Sequence, residues 1–149
     1  MKNNLVKLKY AIIMISVVIF LISLTQNAFS YIDGGTKSAK SYELIISGGF
    51  AFLGGGLLET IVWLANPLFI LSIFFLYESK KESMYAALGS VVLALSFLMW
   101  KKILVSESGR GGEIVSLDLG YWLWLSSLCV FAIGNLIYFI SYNNAETNK

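Results

Sequence analysis

Residues 44–77 read LIISGGFAFLGGGLLETIVWLANPLFILSIFFLY, an apolar run of 34 residues whose only charged side chain is Glu59. A surface element of a soluble domain cannot carry so long an apolar run, and one straight crossing of a bilayer needs only about 20 residues. The run therefore divides. A Gly-rich entry, 44–56, is expected to lie at an interface or to extend the helix shallowly, and 57–77 is the span proper. Pro67 stands near the middle of that span, where it lacks an N–H and crowds the preceding turn, so a kink is expected there.

Three further segments share this character. Residues 10–29 follow a short basic start (Lys2, Lys7, Lys9) and supply about 20 mostly apolar positions. The same stretch fits a secretory signal peptide, with Ala28 and Ser30 as the small residues before a cleavage point. Phe29 and Tyr31 fit an interfacial aromatic collar equally well, and the uncleaved helix is the reading adopted. Residues 84–103 form the next span, closed by Trp100, Lys101 and Lys102. Its Ala87, Gly89, Ser90 and Ala94 are small enough to let a neighbouring helix approach closely. Residues 120–142 form the last span, opened by Tyr121, Trp122 and Trp124.

The connections are read from their turn chemistry. Residues 30–43 are polar, with an Asp33-Gly34-Gly35 turn signal. Residues 78–83 (ESKKES) are too short to do anything but reverse the chain, which makes the flanking helices antiparallel neighbours. In 104–119, two arms rich in Ile, Val, Leu and Ser flank Gly109-Arg110-Gly111-Gly112 and predict a small β-hairpin. The expected fold is an all-α membrane protein: a four-transmembrane-helix antiparallel bundle with a small extracytoplasmic β-hairpin-like loop between spans 3 and 4.

Composition agrees. The chain is 57% hydrophobic and 13% charged, about half the charged fraction of a soluble domain, and its mean hydropathy is +0.74. A soluble chain of this size would have to cover a large surface with polar groups. The net charge of +2 is spread in ones and twos, which argues against nucleic-acid binding. With no His in the sequence, the commonest general base and zinc ligand are both missing. Cys129 stands alone inside an apolar run, and the loop carboxylates show no metal-loop spacing. No enzyme, cofactor or metal is expected.

Four spans place both termini on one side. Six Lys fall on that side (positions 2, 7, 9, 80, 81 and 149) against five basic residues opposite (Lys37, Lys40, Lys101, Lys102, Arg110). Together with the basic flank of the first helix, this predicts cytoplasmic termini. Tyr10, Tyr77, Tyr85 and Tyr142 then mark one interface. Phe29, Tyr31, Tyr42, Trp100, Tyr121, Trp122 and Trp124 mark the other.

The candidate polar site is Glu59 with Gln26, Asn66 and Lys101. Glu59 falls in the first turn of the second span, where a carboxylate either binds an ion or proton or simply reaches the headgroups. Gln26 or Thr25 of the first helix, or Lys101 after the third, are its expected partners. Asn66-Pro67 either opens a carbonyl for a ligand or makes a kink whose freed groups are met by a neighbour such as Asn135 or a Ser of the fourth span. The glycines at 48, 49 and 54–56 lack any nucleotide-binding spacing and are read as close packing.

Three strings, SLTQNAF (23–29), WLANPL (63–68) and LGYWLWLSS (119–127), together resemble a family of small uncharacterised bacterial four-span membrane proteins. The resemblance implies a four-span fold in a bacterial cytoplasmic membrane and supplies no activity. The functional expectation is a non-enzymatic accessory or immunity-type protein. It would act on another membrane protein, or on copies of itself, through helix packing and outer loops. The alternative is a small oligomeric transporter or channel with Glu59 as its ion- or proton-binding carboxylate.

Overall fold

The computed structural model describes residues 2–105 and 110–147, without the side chains of residue 2 and of 145–147. Its elements run α1 (Lys2–Leu24), β1 (Asn27–Ile32), β2 (Thr36–Lys40), α2 (Ser41–Ser47), a 3₁₀ segment (Gly48–Gly54), α3 (Leu57–Trp63), α4 (Ala65–Tyr77), α5 (Glu82–Ser96) with a 3₁₀ turn (Phe97–Met99), β3 (Lys102–Leu104), β4 (Gly111–Leu117) and α6 (Leu119–Thr147). Four helical stretches are long and apolar enough to cross a membrane: Asn3–Leu24, Leu57–Tyr77, Glu82–Met99 and Leu119–Asn144.

The helices pack through small residues. Ser83, Ala87, Ser90 and Ala94 recur at intervals of three and four along α5 and are all buried, so one face of α5 is nearly smooth and α4 and α6 both lie against it. α1 packs along α6, and at Gly134 the contact is so close that a Cβ would meet the Ile12 side chain at 2.8 Å. Aromatic rings fill the centre, where Phe69 stands edge-on to Phe131 at 5.4 Å and touches Phe20 at 5.5 Å. Near the termini, Lys9 Nζ donates to the Tyr77 carbonyl at 2.9 Å, and the Ser79 and Tyr138 hydroxyls share a hydrogen bond of 2.9 Å. The start of α1 and the ends of α4 and α6 therefore gather at one end, the terminal end.

The opposite end carries a β-sheet in the order β2-β1-β4-β3, antiparallel throughout. Here the expectations need correction. The first helix stops at Leu24 rather than running to residue 29; Thr25 and Gln26 close it with turn bonds to Ile22 and Ser23, both 3.1 Å. The chain then extends, so Ala28, Phe29 and Ser30 lie in β1, and the presumed polar loop is a hairpin turning on Asp33-Gly34-Gly35. Gly34 (φ 67) takes the left-handed conformation that the turn requires. The third long helix likewise gives way to 3₁₀ and then strand before residue 103. The expected hairpin between the last two helices exists as β3 and β4, with part of its turn (106–109) outside the described residues. It does not stand alone: β4 pairs with β1. The reason is geometric. Both connections leave the same end of the helices, and each hairpin leaves an unpaired edge that the other can fill.

A kink is expected at Pro67; the helix is interrupted instead by a single turn residue, Leu64, three residues earlier, which keeps helical dihedrals and backbone bonds to Thr60 and from Leu68. Because Pro67 has no N–H, the Trp63 carbonyl four residues earlier loses its helical donor, and the Asn66 side-chain amide replaces it at 2.9 Å. The Gly-rich entry is helical, made of the end of α2 and the 3₁₀ segment.

Candidate functional site

Between the sheet and the helices lies a cavity of about 760 Å³. Phe29 of β1, Phe97, and Tyr121 and Trp124 of α6 form one side, and Val62, Trp63 and Asn66 the other. The rings are stacked on one another: Phe29 lies 5.3 Å from Phe97, Phe97 is 5.6 Å from Tyr121, and Tyr121 is 5.9 Å from Trp124. Hydrogen bonds fix their orientation. The Tyr121 hydroxyl donates to the Ala94 carbonyl at 2.9 Å, and Trp124 Nε1 donates to Asn66 Oδ1 at 2.9 Å. Asn66 thus bridges the α3–α4 helix pair to α6 with both ends of its amide engaged.

A third side is α2 and the 3₁₀ segment, which pack against α1 and α3 respectively. Trp63 anchors this flap. Its Nε1 donates to the Ile45 carbonyl at 2.8 Å, and Gly48 and Gly49 lie flat on its ring, where added Cβ atoms would meet it at 2.6 Å and 3.0 Å. Thr60 anchors it again: its hydroxyl accepts from Phe52 N at 3.0 Å and reaches the Gly48 and Gly56 carbonyls, both at 3.2 Å. Gly48 and Gly49 serve close packing, and their partner is an indole, whereas Gly55 has open space around it and a left-handed φ of 91 that ends the 3₁₀ segment. Ile46, Phe50 and Leu53 of the flap line the cavity and are also largely exposed, so the cavity is open along this side.

Polar groups on the cavity wall are few. Glu59 is its only charged residue among those described, and it also borders a shallow outer groove beside Trp100 and Lys102. One carboxylate oxygen, Oε1, accepts the Leu104 backbone N–H at 2.9 Å. Ser41 is buried, and its hydroxyl has no hydrogen-bond partner among the described residues. Such a group is costly to leave unpaired and marks a place where a ligand atom or water gains a bond.

Of the sequence-predicted set, Glu59 and Asn66 share this cavity. Gln26 does not join them; it sits in the turn after α1 and donates to Thr25 at 2.8 Å. Lys101 is exposed, and its carbonyl accepts the Ile114 N–H at 2.9 Å. Glu59 takes its hydrogen bond from a backbone amide, for which no side-chain pattern gives a signal. Asn135, expected near Asn66, instead donates to Ser83, whose hydroxyl passes the bond to the Ser72 carbonyl at 2.7 Å. Ser41, Trp63, Tyr121 and Trp124 were not singled out as site residues. The two α6 aromatics do carry a signal, a Tyr-x-x-Trp spacing that puts both rings on one helical face.

Comparison with known protein families, with curated proteins and with solved structures gives no match to this chain.

Proposed function

We propose that this chain is a non-enzymatic integral membrane protein that takes the apolar part of a membrane amphiphile into the cavity beneath its sheet. Four helices with hydropathies of 1.6–2.4 bury only 11–39% of their apolar windows against one another. The side chains left over, among them Met14, Val92 and Ile133, are exposed hydrophobics for which a bilayer is the natural cover. In that setting the helices form a four-span antiparallel bundle with both termini on the cytoplasmic side and the sheet outside. The compartment, a bacterial cytoplasmic membrane, rests on the resemblance of the three strings alone. An accessory role, binding rather than chemistry, follows from this reading.

The observation that carries the proposal is the cavity itself. Its volume lies within the range of small-molecule sites, roughly 300–1,000 Å³, and its walls are mostly apolar and aromatic with a few placed polar groups. Phe50 and Leu53 of the flap line the cavity and are also exposed, so its open side carries apolar side chains suited to contact with lipid. The transporter reading is the weaker one. Glu59 lies at the sheet end rather than at mid-helix, and a backbone N–H already holds one of its oxygens.

Photo-crosslinking tests this. Protein in nanodiscs containing a phospholipid with a diazirine on its acyl chain should, after irradiation and peptide mapping, carry label on Leu44, Ile45 and Val62. Label found only on outward side chains such as Met14, Val92 and Ile133 would remove the proposal.

A further inference from the structure

From the charge and ring content of the cavity we infer that its ligand is a lipophilic organic cation, an apolar body bearing one positive charge. The inference rests on the cavity reading and adds the ligand's electrical sign. Glu59 is the sole formal charge on the described wall, and no basic side chain faces it there. Lys102 borders the shallow outer groove that Glu59 also touches, and it does not line the cavity. An uncompensated carboxylate beside an apolar space repels anions and favours a cation, because low-dielectric walls weaken screening.

The rings point the same way. Trp63, Trp124, Tyr121, Phe97 and Phe29 all border the space, and the negative faces of aromatic rings attract cations, ammonium groups above all. The polar edges of the two indoles and the phenol are already committed to Ile45, Asn66 and Ala94. What these rings offer a ligand is the π-surface left over where Gly48 and Gly49 cover part of Trp63 and where Phe97 and Trp124 pack on Tyr121. A strong anion finds no cationic side chain on this wall.

Three probes of similar size separate charge from shape: tetraphenylphosphonium, its anionic counterpart tetraphenylborate, and neutral triphenylphosphine oxide. Equilibrium dialysis of the full chain in dodecyl maltoside, supported by quenching of Trp63 and Trp124 fluorescence, should give saturable binding of the phosphonium at one per chain. The borate should bind at least about tenfold more weakly. Glu59→Gln keeps an oxygen to accept the Leu104 N–H, so the fold is retained; it should weaken the phosphonium by about tenfold or more and leave the neutral probe unchanged. Competition by dihexanoylphosphatidylethanolamine would identify a lipid ammonium as the natural form of the ligand, and failure to compete would identify a free cation; both support the site. If all three probes bind alike and Glu59→Gln changes nothing, the cation inference is overturned while the cavity reading stands. Failure of every probe to bind overturns both.

Discussion

At the scale of single residues, Asn66 does the most with the least. Its amide donates to the carbonyl orphaned by Pro67 and accepts from the Trp124 indole, so one side chain repairs a backbone defect and ties two helices. Asn66→Ala should leave two buried groups unpaired, at about 1–3 kcal/mol each. Thermal unfolding in detergent should show a clear loss; an unchanged midpoint would mean that water or a neighbour replaces both bonds. The sequence foresaw a need for repair, because Pro67 has no N–H to give the carbonyl four residues earlier. It could not name the repairer. That depends on a rotamer and on which α6 residue the crossing brings near, and the crossing put Trp124 there rather than Asn135. Glu59 is similar: its place in the first turn of a helix was legible from the hydropathy pattern, while its backbone partner was not.

Among elements, the sheet is the least legible feature. β1 begins only two residues after a long apolar helix and continues its hydrophobic character, so Ala28 and Phe29 read as the end of a span. Only the pairing with β4, across more than 80 residues of sequence, makes the strand. The join between sheet and helices is correspondingly tight at Gly120, where a Cβ would meet the Asn27 carbonyl oxygen at 2.6 Å. Backbone cannot retreat as a flexible side chain does. Gly120→Ala should therefore destabilise by about 1–3 kcal/mol. Gly89→Ala, whose Cβ would meet only Leu68 at 3.5 Å, should be neutral or stabilising by up to about 1 kcal/mol. Equal effects from the two would show that helix propensity, not the sheet contact, sets the outcome.

The two hairpins are also tied electrostatically. Asp33 binds Lys37 at 2.8 Å and Arg110 of the second hairpin at 3.2 Å. The Lys37 hydrogen bond, aided by the Arg110 charge, holds the Asp33 carboxyl below its ordinary 3.8. A lowered folded value means that the tie is complete above the ordinary value and is lost as pH falls through the lower one. A carboxyl-carbon NMR titration should place Asp33 below 3.8, and Lys37→Met should move it upward. A normal titration in the wild type would show the tie to be absent in solution.

The whole molecule turns on whether its ends face opposite solutions. Lys37 lies in the sheet and Lys80 in the turn at the terminal end, so in a bilayer the single crossing by Leu57–Tyr77 would put them on opposite sides, whereas in water both would meet one solution. With Cys129 replaced by Ala, the only sulfhydryl in the sequence is gone, and a single Cys placed at Lys37 or at Lys80 reports one end alone. A membrane-impermeant maleimide on intact cells should label Lys37→Cys at once and Lys80→Cys only after permeabilisation. The inverse pattern would keep the spans and reverse the orientation drawn from the basic residues, moving the cavity to the cytoplasmic leaflet. Labelling of both from one side would mean that the helices do not cross, and the exposed faces of α1 and α5 would then need a protein rather than a lipid cover.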